Sequence, residues 1–99
     1  MTYQTFRYLV TIAEDEINVE DFVDIEARKT LQALKLDPIP IWAYAHEGFD
    51  GLRKHLGLSR PKVRALIGIP VRTQESWAAE VRSPAQHIVD LAAFALIQA

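Results

Sequence analysis

The chain of 99 residues has no cysteine, a single methionine and only four glycines, and aromatic side chains make up 9% of it. Without thiols there is no disulfide, no thiolate nucleophile and no cysteine-based zinc site. No apolar run approaches the roughly 20 residues that a membrane span needs. The start carries no basic stretch followed by an apolar core, so the sequence predicts a chain that is not exported and that works in the cytoplasm. Neither a glycine-rich phosphate loop nor a serine elbow after a strand is present. The histidines His46, His55 and His87 are scattered, with no second ligand three or four residues away, a spacing that speaks against a metal site. The expectation is a protein that is not an enzyme and uses no cofactor or metal.

What is present is globular: 49% hydrophobic and 24% charged residues in a length that suits one domain, burying about 60–65% of its unfolded surface. The net charge of −2 hides a division. Residues 1–49 hold four Lys/Arg against nine acids, a balance of −5, whereas residues 50–99 hold seven against four, a balance of +3. A basic half of this kind is the electrostatic footprint of a surface that meets phosphates, and it is also found on ordinary solvated helices. The acids Glu14, Asp15, Glu16, Glu20, Asp21, Asp24 and Glu26 read as a solvated helix face, with a protein-binding surface as the alternative.

Along the chain, residues 2–13 fit two patterns. Phe6, Leu9, Val10, Ala13 and Ile17 have helical spacing, while Phe6, Tyr8, Val10 and Ile12 alternate as in a strand; the helix is favoured and a short N-terminal strand is the alternative. Asn18 is placed to cap a helix reaching about Leu34, with acids early and Arg28, Lys29 and Lys35 late, an order that complements the helix dipole. Asp37-Pro38-Ile39-Pro40 cannot continue that helix and marks a joint. It divides an acidic helical segment, 1–40, from residues 41–99, the two forming one compact unit. Ile41–His46 reads as a short helix stopped near Gly48, and Asp50 or Gly51 opens the next. Trp42 and Tyr44 read either as an aromatic platform or as core residues. Ser83-Pro84-Ala85-Gln86 has the form of a capping box with proline at the first helical position. The last helix then exposes an apolar surface wider than one monomer can cover. A homodimer through Ile88, Leu91, Ala92, Ala95 and Leu96 is the expectation.

Between these lies the most informative stretch. Ser59 can cap a helix with Pro61 in its first turn and Val63, Leu66 and Ile67 at helical spacing; Gly68 ends it, and a second helix starts around Pro70 or Val71 with Trp77 turned inward. Leu58-Ser59, then Leu66-Ile67-Gly68-Ile69-Pro70-Val71-Arg72-Thr73, then Trp77, with Arg82 and Pro84 following, resemble the phage-repressor-type (Xre-like, Cro/CI) helix-turn-helix family, including the antitoxins built on that domain. The resemblance runs from Phe49 to about Leu96, roughly half the chain, and its motif is short and made mainly of fold-determining residues. The chain departs from the family at Arg60, where glutamine is usual, at Arg64 for a small alanine, at Gln74 for an aliphatic residue, and at Ala78-Ala79-Glu80 for glutamate-x-glycine. The positions of Arg64 and Gln74 face one another across the turn in the family. Either these two polar side chains bond to each other or the helices are splayed, since an unpaired buried polar group costs about 1–3 kcal/mol.

The resemblance implies a mainly α-helical fold and a second helix that enters the major groove of double-stranded DNA. Val71, Arg72, Glu75 and Ser76 would then face bases, while Ser59, Arg60, Lys62, Thr73 and Arg82 would face the phosphate backbone. The function so implied is a homodimeric transcriptional regulator, either a phage or plasmid repressor or an antitoxin repressing its own operon, with the acidic half binding a basic toxin. The rival is a protein-interaction module or inhibitor that reuses the fold without binding DNA.

Overall fold

The computed structural model describes residues 1–23, 32, 37–79 and 85–99. Helix α1, Tyr3–Asp15, opens at Thr2, whose hydroxyl accepts a hydrogen bond from the Thr5 N–H at 3.1 Å. Its buried residues are Phe6, Leu9, Val10 and Ala13, the one-sided spacing of an amphipathic helix. The strand alternative fails at Tyr8, which would have to share a side with Phe6 and Val10 and is instead 55% exposed. The helix stops before Ile17, which is 87% exposed and so does not extend the apolar face.

After Asn18 comes a single turn, α2, Val19–Asp21, leading to the fully buried Phe22. Asn18 has the extended backbone of a cap, but its amide reaches the Asp21 carboxylate and no backbone N–H. Most of the helix expected up to Leu34, with Arg28, Lys29 and Lys35, lies outside the described residues.

The proline-rich joint proves to be a helix start. In α3, Pro38–His55, the Asp37 carboxylate accepts from the Ile39 N–H at 3.1 Å, and both prolines fall in the first turn. The N–H groups there have no partner within a helix, so proline forfeits nothing. The division drawn after Pro40 therefore falls inside a turn of helix. Gly48 bends α3 with φ 77° and ψ −169°, a backbone conformation that is essentially confined to glycine, and it separates the two helical runs that the sequence suggested.

Helices α4, Arg60–Ile67, and α5, Val71–Ala78, follow, and α6, Gln86–Gln98, closes the chain. Helix α6 begins at Gln86, with Ala85 as a cap that makes no side-chain bond, so the first helical position is later than the proline of the expected capping box; Ser83 and Pro84 themselves lie outside the described residues. No strand occurs among the described residues. Helices α1, α3 and α6 share one core, in which the Phe6 ring lies 5.9 Å from Tyr44 and 5.7 Å from Phe94 between centroids. Tyr44 is thus a core residue, not part of a surface platform. Trp42 is partly buried and stacks on His46, with 4.2 Å between ring centroids. The His46 Nε2 lies 2.6 Å from the Ala13 carbonyl oxygen. A carbonyl only accepts, so Nε2 carries the hydrogen, and the bond fastens the end of α1 to α3.

One polar cluster crosses this core. Asp90 of α6, nearly fully buried, accepts from Tyr44 Oη at 2.5 Å and Gln86 Nε2 at 3.1 Å through Oδ1, and from Arg7 Nη1 at 2.7 Å through Oδ2. Burial, then the hydrogen bond and charge of Asp90, push the Tyr44 phenol well above its ordinary value of 10.0. Tyr44 therefore stays a donor, and the buried carboxylate is matched by three donors from three helices.

The residues expected at a dimer interface divide on the structure. Ala92 and Leu96 are buried within the monomer, on the side of α6 that meets the shared core. Ile88 and Leu91 are each 47% exposed and Ala95 is half-buried. The breadth of the apolar surface thus serves two sides of α6. One side is already covered by the chain itself.

Candidate nucleic-acid interface

The α4–turn–α5 pair is built locally, from the capping chemistry up. The Ser59 hydroxyl accepts from the Lys62 N–H at 3.2 Å, Pro61 sits in the first turn, and Val63 is the one fully buried side chain of α4. Gly68 closes that helix with φ 79° and donates its N–H to the Arg64 carbonyl at 2.8 Å, the left-handed C-terminal cap that glycine adopts without a Cβ penalty. Pro70 precedes α5, and its carbonyl accepts from the Gln74 N–H at 3.1 Å. Trp77 meets Phe49 of α3 edge-on, with 5.3 Å between centroids, which fixes α5 on the scaffold.

On α5, Arg72 and Glu75 are exposed, and Val71, Thr73 and Ser76 are half-buried. With 3.6 residues per turn, Arg72, Glu75 and Ser76 lie within an arc of about 100°, opposite the buried Gln74 and the inward Trp77. These three side chains face away from the scaffold together, with Val71 at the margin of their arc. On α4, Lys62 is exposed, and Ser59, also exposed, uses its oxygen as the helix cap. Arg82 lies outside the described residues.

Arg60 does not fit the role of a free phosphate contact. Its Nη2 donates to Asp50 Oδ1 at 3.3 Å, and its side chain is only 31% exposed. Asp50 also accepts from Arg53 Nε at 2.9 Å and pairs with Lys54 at 3.4 Å. Partial burial raises the Asp50 pKa, but the Arg53 hydrogen bond and the charges of Arg53 and Arg60 outweigh this and hold the group below its ordinary 3.8. Arg53 in turn donates to the Leu58 carbonyl at 2.8 Å. The Asp50–Arg53–Arg60 group therefore locks the end of α3 to the start of α4.

The pairing of Arg64 with Gln74 is absent. Arg64 is exposed, while Gln74 is buried and gives its Nε2 hydrogens to backbone carbonyls, those of Arg60 at 3.0 Å and Ile69 at 2.8 Å. Gln74 Oε1 and Arg60 Nε are buried without a partner. The polar residue at this position is thus accommodated by the backbone of α4 and the turn. That leaves Arg64 in solvent.

Among the described residues, Lys62, Arg64 and Arg72 form no ion pair, whereas Arg7, Arg53, Lys54 and Arg60 all do. Glu75 is the single acid between Ser59 and Ala79. Lys62 and Arg64 on the two flanks of α4, and Arg72 on α5, thus present exposed positive charge that no described carboxylate pairs, on a chain whose net charge is −2. Of the groups that hold it together, Asp50 with Arg53 and Lys54 follows the helical spacing of three and four residues and is legible in the sequence; the bonds of Gln74 are not. No group of three or more His, Asp or Glu side chains that could hold a metal ion occurs among the described residues. No helix among them is long and apolar enough to cross a membrane.

No protein-family model, curated protein or solved structure matches the chain.

Proposed function

We propose that this protein binds double-stranded DNA through α4 and α5 and acts as a transcriptional regulator of the repressor or self-repressing antitoxin kind. The observation that carries the reading is the set Lys62, Arg64 and Arg72, exposed and, among the described residues, without carboxylate partners, on two short helices joined by a tight turn. In this reading α5 lies in the major groove. Arg72 pairs with a guanine, Val71 meets a thymine methyl, and Glu75 and Ser76 face neighbouring base edges. Ser59, Lys62 and Thr73 lie against phosphates, and Arg64 joins them in place of the tethered Arg60. A second copy docks through Ile88, Leu91 and Ala95, which sets two half-sites about one helical turn of DNA apart. In the antitoxin form the acidic segment around the exposed Ile17 receives a basic protein partner. As a repressor or antitoxin acting on a phage, plasmid or bacterial operon, the protein works in the cytoplasm, where that DNA lies.

Titration of binding to pooled random duplexes against salt tests the reading. Each neutralised phosphate contributes about −0.9 to the slope of log K against log salt. Lys62→Ala then weakens all duplexes nearly equally and lowers the slope by about one unit, whereas Arg72→Ala costs about 1–3 kcal/mol on a preferred duplex and less on the pool. A folded protein that binds no pooled duplex at low salt overturns DNA binding, and the protein-interaction reading then takes its place.

A further inference from the structure

Gln74 is a side chain that the base and phosphate contacts leave unused, yet it is 1% exposed at the centre of the helix that would do the reading. Its amide has two N–H groups, and both are engaged by carbonyls from different pieces of the chain. Arg60 opens α4, and Ile69 lies in the turn before Pro70. The Ile69 carbonyl precedes the cap of α5 and so stands outside that helix's own hydrogen-bond ladder. The orientation of the amide is settled by the same two partners, since a flipped Gln74 would set its oxygen against two carbonyl oxygens. Arg60 is itself held from its other end by Asp50.

An aliphatic side chain at this place would pack without direction. The bond to the Arg60 carbonyl instead ties α5 to the start of α4, the bond to the Ile69 carbonyl holds the amide against the turn, and together with the Trp77–Phe49 contact they set the roll of α5 about its axis. With a helix radius of about 5–6 Å including side chains, a roll of about 20° moves an outward side-chain tip by about 2 Å. That displacement is enough to lose a bidentate contact to a base. We infer that Gln74 is the positioning residue that sets the pose of α5 for base recognition, an inference that rests on the DNA-binding reading above. Phosphate contacts tolerate a shifted helix, because they depend on charge and not on register with base edges.

The test starts from duplexes enriched out of a random pool by the wild-type protein. Gln74→Leu and Gln74→Met, the second retaining an unbranched side chain of similar volume, are each measured on the enriched duplex and on the pool. The expected result is affinity for the pool within about twofold of wild type, an unchanged salt slope, and a preference for the enriched duplex reduced at least about tenfold, as loss of base recognition alone requires. In the wild-type protein, the Gln74 side-chain amide protons should exchange with solvent far more slowly than those of the exposed Gln4. This measurement needs no variant and stands if both substitutions unfold the protein. Folded variants that keep the preference within twofold overturn the inference alone, as do Gln74 amide protons that exchange as fast as those of Gln4. A wild-type protein that binds no pooled duplex overturns the DNA reading and this inference together.

Discussion

Tyr44 and Asp50 show how single polar groups are used here. Tyr44 lies in the core, with its ring against Phe6 and its hydroxyl donating to Asp90. Tyr44→Phe keeps the ring packing and removes a donor to a buried charge, a loss of about 1.5–3 kcal/mol in a denaturant titration. Asp50 gives a pH dependence of definite sign. Its pKa in the folded protein is below the ordinary 3.8, so its contribution to stability is present above that value and disappears as pH falls through the lower folded value. Asp50→Asn removes this contribution. Unfolding midpoints of wild type and Asp50→Asn should therefore differ at neutral pH and converge as the solution is acidified below 3.8. A constant difference down to about pH 2 would show that the carboxylate charge is not what Asp50 supplies.

At the scale of elements, helix boundaries follow local chemistry closely. Thr2, Asp37 and Ser59 each cap with a side-chain oxygen, and prolines occupy first turns after Asp37 and Ser59. Gly48 is the sharpest case, because its conformation is the cause of the bend within α3. A Cβ added there meets no atom within 4 Å, so the cost of Gly48→Ala is backbone strain alone, about 1–3 kcal/mol. Calorimetry or denaturant unfolding would read it. A neutral result would mean that the two halves of α3 tolerate a continuous helix. The proline joint, by contrast, is misread from sequence when proline is taken only as a stop, since the same residue is well suited to a first helical turn.

For the whole molecule, the Cα radius of gyration of 13.3 Å is that of one compact domain, which leaves Ile88 and Leu91 of α6 uncovered. Leu91→Lys places a charge on the exposed side of α6 and should give a folded monomer in sedimentation velocity. Ala92→Lys, one residue on, buries the charge in the monomer core and should unfold the chain, as seen by loss of helical circular dichroism. If the wild-type protein is already a monomer at tens of micromolar, the dimer and its paired half-sites fall together.

The sequence by itself determined the helical class, the α4–turn–α5 pair and the two-signed distribution of charge, because caps, prolines, Gly68 and apolar periodicity act over three to eight neighbouring residues. It also carried the spacing that sets Asp50 beside Arg53 and Lys54. Only the tertiary structure decided which polar residues would be spent on holding the fold. Asp90 finds Arg7 and Tyr44, separated from it by 83 and 46 residues; Gln74 takes the Arg60 carbonyl, 14 residues away, in preference to Arg64. Arg60 is drawn to Asp50, while Ala92 and Leu96 are claimed by the core. Such choices depend on which groups meet when helices pack and on the cost of leaving a buried donor or acceptor unmatched, and no local pattern in the chain encodes that meeting.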